Sequence, residues 1–280
     1  MRIIKYEDIV RVVSILCQEA NYYLGEDVLE AIKKSREQEE SPLGVTILDQ
    51  LIENAKIARE EHIPMCQDTG FAVFFVEVGQ DIHIEGGILD DAINEGVRQG
   101  YTEGYLRKSI VGHPLERENT GDNTPAIIYT SLVAGDKMKI TVAPKGGGSE
   151  NMSSIMMLKP SQGVEGVKKF VVDTVDQAGS NPCPPIVVGV GIGGTMEKAA
   201  LLAKQALLRP LDRHHDDSSI AELEEELLDK INKLGIGPQG LGGRTTALAV
   251  NIEIFPVHIA SLPVAVNINC HSARHKTIIL

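Results

Sequence analysis

The chain has 280 residues, of which 42% are hydrophobic, so it can bury a substantial core in one large domain or in two smaller ones. Its formal net charge of −12 argues against nucleic acids and anionic membranes as partners, since both require a positive surface. No apolar run reaches the roughly 20 residues that cross a bilayer, and the acidic start lacks the apolar core of a secretory signal, so we expect a cytoplasmic protein.

The first part of the chain, to about residue 64, is predicted to be helical. Apolar side chains recur at helical spacing over about 6–22, 26–37 and 43–61. Cys17 lies in the first of these helices, where a free cysteine packs as a small hydrophobic residue. We therefore assign Cys17 to the core.

From about residue 65 to residue 280, strands and helices are mixed. The pattern predicts strands over 71–78, 126–130, 138–142, 186–191, 246–255 and 263–268, and helices over 88–106, 163–178, from about 195 and over 220–233. A polar stretch at 112–124 is predicted to be a long surface loop. Because strands and helices do not alternate regularly, we predict an α+β fold with one large domain over 1–280.

Three other cysteines lie in settings typical of loops. Cys66 is in MCQDTG, Cys183 is between prolines in NPCPP, and Cys270 is in NINCH. Soft thiolates suit an iron-sulfur cluster or zinc, and three thiolates would leave one iron of a cluster open to substrate. Their spacing matches no metal-binding signature, so from the residues alone plain packing of these cysteines stays open.

Two glycine patterns stand out. Three consecutive glycines occur in residues 143–151 (APKGGGSEN), where packing does not explain them. Residues 189–194 match the dinucleotide-binding pattern GxGxxG, which keeps a nucleotide-dependent oxidoreductase as a distant alternative. The match begins inside a predicted strand, however, and no acidic residue follows at the spacing of a ribose contact. The simpler interpretation is a tight turn from strand to helix.

Two single residues have a structural and a functional interpretation. His258 interrupts an apolar stretch, where a histidine is more often a hydrogen-bonded core residue than an active group. Arg107 follows the helix predicted over 88–106 and could simply complement the helix dipole.

The segments 65–70, 143–151 and 181–185 together resemble the class I, iron-sulfur-dependent fumarate hydratase and tartrate dehydratase family. The resemblance runs nearly from end to end and is to the separate alpha subunit of the two-chain form. It implies a hydro-lyase, an enzyme that reversibly adds water to the double bond of a dicarboxylate.

The resemblance also implies a cofactor and a pair of catalytic residues. Cys66, Cys183 and Cys270 would hold a 4Fe-4S cluster with one open iron, which acts as a Lewis acid toward the departing hydroxyl group. Asp68 resembles the family's acid for that hydroxyl group, and His258 resembles its hydrogen-bonded partner. The predicted helical region and the mixed region that follows would then form one cluster-binding domain.

Three further residues resemble the family's substrate contacts. Gln67 and Arg107 would bind substrate carboxylates, and the fork of a guanidinium group matches a carboxylate. Gly147 and its glycine neighbours would present backbone N–H groups to the anion. The group that removes the carbon-bound proton lies in the C-terminal part of fused family members, so we expect a separate beta subunit to carry it.

The expected reaction is the interconversion of fumarate and L-malate. L-tartrate dehydratase, which forms oxaloacetate, shares all the quoted motifs and is the alternative of the same class. An iron-sulfur sensor without catalytic activity is a further alternative.

Overall fold

The computed structural model describes residues 1–280 and combines helices with strands. The helices are α1 (Tyr6–Tyr22), α2 (Glu26–Gln38), α3 (Pro42–Glu61), α4 (Leu89–Glu103), α5 (Gly147–Glu150), α6 (Gly163–Ala178), α7 (Met196–Ala206) and α8 (Ser218–Asn232). The strands are β1 (Arg2–Lys5), β2 (Phe71–Gly79), β3 (Ile82–Glu85), β4 (Ile127–Val133), β5 (Met138–Lys145), β6 (Ser154–Leu158), β7 (Ile186–Gly194), β8 (Ala247–Val257), β9 (Leu262–Asn269) and β10 (Lys276–Ile279). None of the helices is long and apolar enough to cross a membrane, and the cytoplasmic location stays a prediction.

The predicted α+β class is confirmed. Each predicted helix and strand corresponds to an observed element, with ends that differ by a few residues. The sequence patterns missed β1, β3, β6 and β10, which have four or five residues each. Strands this short show too little alternation to be recognised, because pairing with a distant strand is what stabilises them.

The chain divides into two compact units, each built from separate stretches of sequence. The first unit contains residues 1–24, 55–147 and 274–280, and the second contains 25–54 and 148–273. The sequence prediction of one domain over the whole chain stays a prediction, because units with interleaved segments can belong to one domain.

A four-stranded mixed sheet with the order β10-β5-β2-β4 forms the centre of the first unit. α1 and α4 pack against each other, and residues from both helices and the sheet share one core, among them Val13, Val97, Tyr101, Phe74 and Ile140. Alternate residues of β2 point into this core. The hydrophobic alternation of β2 therefore fixes its register against its neighbours.

The register of β2 and β5 brings two segments of the predicted site together. Phe71, the first residue of β2, pairs with Lys145, the last residue of β5. Since the strands are antiparallel, the loop before β2 and the glycine segment after β5 lie at the same end of the sheet. The segments 65–70 and 146–147 are thus neighbours in the first unit.

The second unit is built on a sheet with the order β6-β9-β7-β8. Its core contains residues of α6, α8 and the sheet, among them Val171, Leu227, Val188, Ile252 and Val266. β7 begins just after Cys183, and β9 ends just before Cys270. These strands are antiparallel, and Val187 pairs with Asn269, so both cysteines lie at the same end of the sheet.

The GxGxxG pattern lies within β7 and serves the packing of α7. A Cβ atom on Gly191 would lie 2.1 Å from the carbonyl oxygen of Ala199, so only glycine lets the helix approach the strand this closely. A dinucleotide-binding fingerprint instead places its glycines in the turn after the strand. This geometry argues against the nucleotide-dependent oxidoreductase.

Candidate active site

Asp68 lies in a tight turn between α3 and β2, and backbone amides hold both oxygens of its half-buried carboxyl group. Oδ1 accepts the N–H of Gly70 over 3.0 Å, and Oδ2 accepts the N–H of Gly147 over 2.8 Å. Each carboxyl oxygen has a second lone pair. The amides can therefore fix the orientation of the group while a proton is exchanged at the remaining position.

The turn depends on the absence of a side chain at Gly70. This residue has a φ of +79°, in the left-handed region, and a Cβ atom here would lie 2.7 Å from the backbone nitrogen of Lys145. Any other residue would force the turn away from the end of β5. Because Gly147 follows β5 closely, that movement would also separate Asp68 from its second amide donor.

Three buried side chains hold the backbone of the turn, and the sequence patterns did not single them out. The Tyr101 hydroxyl donates to the carbonyl oxygen of Thr69 over 2.9 Å and lies 3.2 Å from that of Gly70. The Asn123 amide donates to the carbonyl oxygen of Gly70 over 3.2 Å. The Arg274 guanidinium donates to the carbonyl oxygen of Asp68. Burial raises the pKa of the Tyr101 phenol well above its usual value, so the hydroxyl stays protonated and remains a donor.

The same network of hydrogen bonds attaches the loop that carries Arg107 to the Asp68 turn. The Thr69 hydroxyl donates to the carbonyl oxygen of Arg107 over 3.0 Å, and the N–H of Ser109 donates to Oδ1 of Asn123 over 2.7 Å. The side chains of Arg107 and Gln67 are exposed and can meet a ligand. Arg107 lies beyond the end of α4, so the simple helix-dipole interpretation does not apply to it.

In the second unit, the loops that carry Cys183 and Cys270 are hydrogen-bonded to each other. The backbone N–H of His271 donates to the carbonyl oxygen of Cys183 over 3.3 Å, and the ring Nδ1 of His271 lies 3.1 Å from the same oxygen. Cys183 is exposed and Cys270 is half-buried. Two of the three predicted ligands thus belong to one connected pair of loops, while Cys66 belongs to the first unit.

The four cysteines divide by environment as the sequence indicated. Cys17 is fully buried, and this burial raises the pKa of its thiol far above the usual value, so it is a core residue. Cys66, Cys183 and Cys270 are at least partly accessible, and such thiolates are suitable ligands for an iron-sulfur cluster. Within each unit, no group of three or more His, Cys, Asp and Glu side chains is arranged to hold a metal ion.

His258 lies in the turn between β8 and β9 and is exposed. The interpretation as a buried core histidine is therefore wrong. Its Nδ1 accepts the N–H of Ala260 over 3.2 Å. A neutral imidazole whose Nδ1 accepts carries its proton on Nε2, so Nε2 can donate to a carboxylate.

A cavity of about 690 Å³ in the second unit lies between α2 and α8. No residue of the predicted site lines it. Acidic side chains predominate in its wall, where Glu26, Asp27, Glu30, Asp212, Glu225 and Asp229 outnumber Lys34 and Arg244. An excess of carboxylates repels a dicarboxylate, so this cavity is not the substrate site.

Comparison with known proteins bears on the chain as a whole. The sequence model of the fumarate hydratase (Fumerase) family matches residues 10–279. A Methanocaldococcus jannaschii protein named "Putative L(+)-tartrate dehydratase subunit alpha" is 48% identical over 269 residues, which cover 94% of each chain. The L(+)-tartrate dehydratase alpha subunits of Escherichia coli O157:H7 and Shigella sonnei are 36% and 35% identical over 259 residues, or 91% of this chain and 85% of theirs.

These similarities extend over nearly the whole length of the chain and of its relatives. They confirm the resemblance that the three motif segments indicated, including the resemblance to separate alpha subunits. The chain belongs to the fumarate hydratase family of hydro-lyases.

Proposed function

We propose that the chain is the alpha subunit of a 4Fe-4S hydro-lyase that interconverts fumarate and L-malate and is completed by a separate beta subunit. The observation that carries this proposal is the Asp68 carboxyl group, which two amides orient in the turn next to the loop of Arg107. A positioned acid, on a turn joined to the loop of an exposed arginine, suits the hydration of a dicarboxylate.

The proposed cluster would be held by Cys66, Cys183 and Cys270. When bound, it supplies a Lewis acid that weakens the bond to the departing hydroxyl group. The hydrogen bond between His271 and Cys183 supports this assignment for the two cysteines of the second unit, because it keeps their loops adjacent.

Asp68 would transfer the proton that the hydroxyl group needs in order to leave as water. The donors to its two oxygens keep the carboxyl group from rotating, so the proton is presented in one direction. His258 would donate from Nε2 to the ionised carboxylate that remains. This pairing of Asp68 with His258 stays a proposal.

Arg107 and Gln67 would bind the carboxylates of the substrate, and their exposure supports this role. For Gly147 the structure adds a condition. Its single backbone N–H already donates to Asp68, so it can contact a substrate carboxylate only when Asp68 releases it. If the anion binds at Gly147, the N–H of Gly70 remains as the donor that orients Asp68.

A beta subunit would supply the group that removes the carbon-bound proton. The names of the relatives support such a partner, because each is called a subunit alpha. We expect the isolated chain, even with the cluster, to be inactive. Full turnover without a second chain would contradict this part of the proposal.

The dehydration of L-tartrate is the second candidate reaction, and the names of the relatives favour it. The two substrates share a four-carbon dicarboxylate skeleton, so the contacts assigned to Arg107 and Gln67 serve either one. The additional hydroxyl group of tartrate distinguishes them.

The test is to produce the chain anaerobically with the beta subunit of the same source, reconstitute the cluster and measure turnover of fumarate, L-malate and L-tartrate at equal concentrations. Iron-sulfur absorption and reversible hydration of fumarate would support the first proposal. Turnover of tartrate alone would support the second. Absence of iron-sulfur absorption after reconstitution would contradict both.

A further inference from the structure

Gln239 connects the backbone of the Cys183 loop to the side chain next to Cys270. Its backbone N–H and its side-chain Nε2 both donate to the carbonyl oxygen of Pro184, each over 2.8 Å. Its Nε2 also lies 3.2 Å from Nδ1 of His271. One residue therefore contacts both loops that carry predicted ligands in the second unit.

The ring of His271 lies within hydrogen-bond distance of both Gln239 and Cys183. Its Nδ1 is 3.2 Å from the Gln239 amide nitrogen, which donates, and 3.1 Å from the Cys183 carbonyl oxygen, which accepts. The ring nitrogen accepts from the first or donates to the second, according to its tautomer. With Nδ1 unprotonated, the ring accepts from Gln239 and joins it to the Cys270 loop. With Nδ1 protonated, the ring donates to the Cys183 carbonyl oxygen and joins the two cysteine loops directly.

The backbone of Gln239 indicates that its side chain matters. Gln239 has a φ of +51°, in the left-handed region that favours glycine. In the segment 237–245, which contains Gln239, the four other residues with a positive φ are the glycines at 237, 240, 242 and 243. Glycine would satisfy the backbone at residue 239 as well, so a glutamine there is explained by the hydrogen bonds of its amide.

Gln239 belongs to the segment 237–245, and Glu39 anchors the C-terminal end of this segment. This buried carboxylate accepts the N–H groups of Arg244 and Thr245 over 2.9 Å and 3.0 Å. It also accepts from the backbone of the connection between α2 and α3. The segment 237–245 is thus fixed at one end by Glu39 and meets the two cysteine loops through Gln239.

We propose that Gln239 is a positioning residue for the cofactor: by joining the Pro184 carbonyl group to the His271 ring, it sets the separation of Cys183 and Cys270 that an iron-sulfur cluster requires. Gln239 acts through these groups and does not itself bind iron. The inference rests on the proposed function, since it assumes that the two cysteines are cluster ligands.

The test uses the chain produced anaerobically with its beta subunit and compares wild type with Gln239→Glu and Gln239→Gly. The first substitution keeps the size of the side chain and removes its donor, and the second removes the side chain and relieves the backbone. Iron content, the electron paramagnetic resonance spectrum of the reduced cluster and the rate of cluster loss to EDTA are measured. We expect both variants to lose the cluster roughly fivefold to tenfold faster, the effect of one hydrogen bond, and to show altered spectra.

Gln177→Glu on the exposed surface of α6 is the matched control and should behave as wild type. The thermal unfolding of the cluster-free proteins shows whether the variants fold. A purely structural role predicts that Gln239→Gly, which relieves the backbone, keeps the wild-type spectrum and rate of loss, and that result would overturn the positioning role. A wild-type protein that takes up no cluster would instead overturn the proposed function and this inference together.

Discussion

The carboxyl group of Asp68 and the backbone N–H of Gly147 are joined by a hydrogen bond of 2.8 Å, although 79 positions separate them in the chain. The pairing of β2 with β5 makes this contact possible, because it places the turn before one strand beside the segment after the other. The orientation of the proposed acid is thus a product of sheet register. It follows that a change of the carboxyl group should leave the pairing of the two strands intact.

Asp68→Asn should lower kcat about 10²- to 10⁴-fold, since an amide cannot transfer the proton. The iron content should not change and the KM should change less than kcat, because the cysteines and the side chains of Arg107 and Gln67 are untouched. Steady-state kinetics of the complex with the beta subunit would measure this. Asp136→Asn, in an exposed turn of the same unit, is the control and should retain wild-type kcat. Equal activity of the two variants would exclude Asp68 as the acid.

Gly70→Ala should destabilise the chain far more than Gly121→Ala. The two glycines have nearly equal φ angles, +79° and +81°, but only Gly70 has neighbours within 4 Å of an added Cβ atom. Gly121→Ala should therefore cost only backbone strain, about 1–2 kcal/mol. Gly70→Ala adds overpacking and should cost about 3 kcal/mol or more. Urea denaturation measures the difference, and equal midpoints would mean that the turn can move away from Lys145.

Glu39→Gln should lower the free energy of unfolding by about 2–3 kcal/mol at neutral pH, because backbone donors lose a charged acceptor. Burial alone would raise the pKa of Glu39, but the N–H groups of Ser41, Arg244 and Thr245 together lower it below the ordinary value of 4.5. The ionised group therefore stabilises the fold above about pH 4.5, and this contribution is lost as the pH falls through the folded-state pKa.

The corresponding measurement is denaturant unfolding between pH 7 and pH 3. The difference between wild type and Glu39→Gln should narrow on the acid side. Glu40→Gln, whose side chain is 78% exposed, should leave stability nearly unchanged at every pH. A difference from wild type that persists unchanged at pH 3 would show that the charge of Glu39 does not matter.

Local patterns were sufficient to predict the helices, the longer strands and the environment of Cys17, because each depends on periodicity within one segment. The hydrogen bonds that hold the backbone of the Asp68 turn could not be predicted in this way. Asn123 was visible only as part of a polar loop, and Arg274 only as one cation near the end of the chain. Their roles arise from hydrogen bonds to a carbonyl group far away in sequence, and no local pattern encodes such a contact.

The same limit applies to the cysteines. The loop character of Cys183 and Cys270 was readable from neighbouring prolines and asparagines, and the structure shows the contact between their loops. The residue that connects them, Gln239, lies in a glycine-rich stretch that reads as an ordinary turn. It shares a positive φ angle with its glycine neighbours, and the bonds of its side chain, such as that to Pro184, distinguish it from them.

Cys183→Ser and Cys17→Ser should separate a ligand from a core residue. Cys183 is exposed, so a serine there should leave folding intact while iron-sulfur absorption and activity are lost. Cys17 is fully buried, and a serine there places a hydroxyl group in the core at a cost of about 1–3 kcal/mol, with iron content preserved. Iron analysis and thermal unfolding of the reconstituted complexes measure both effects. Loss of the cluster in both variants, or in neither, would contradict the division of the cysteines, because burial makes the Cys17 thiol unsuitable as a ligand.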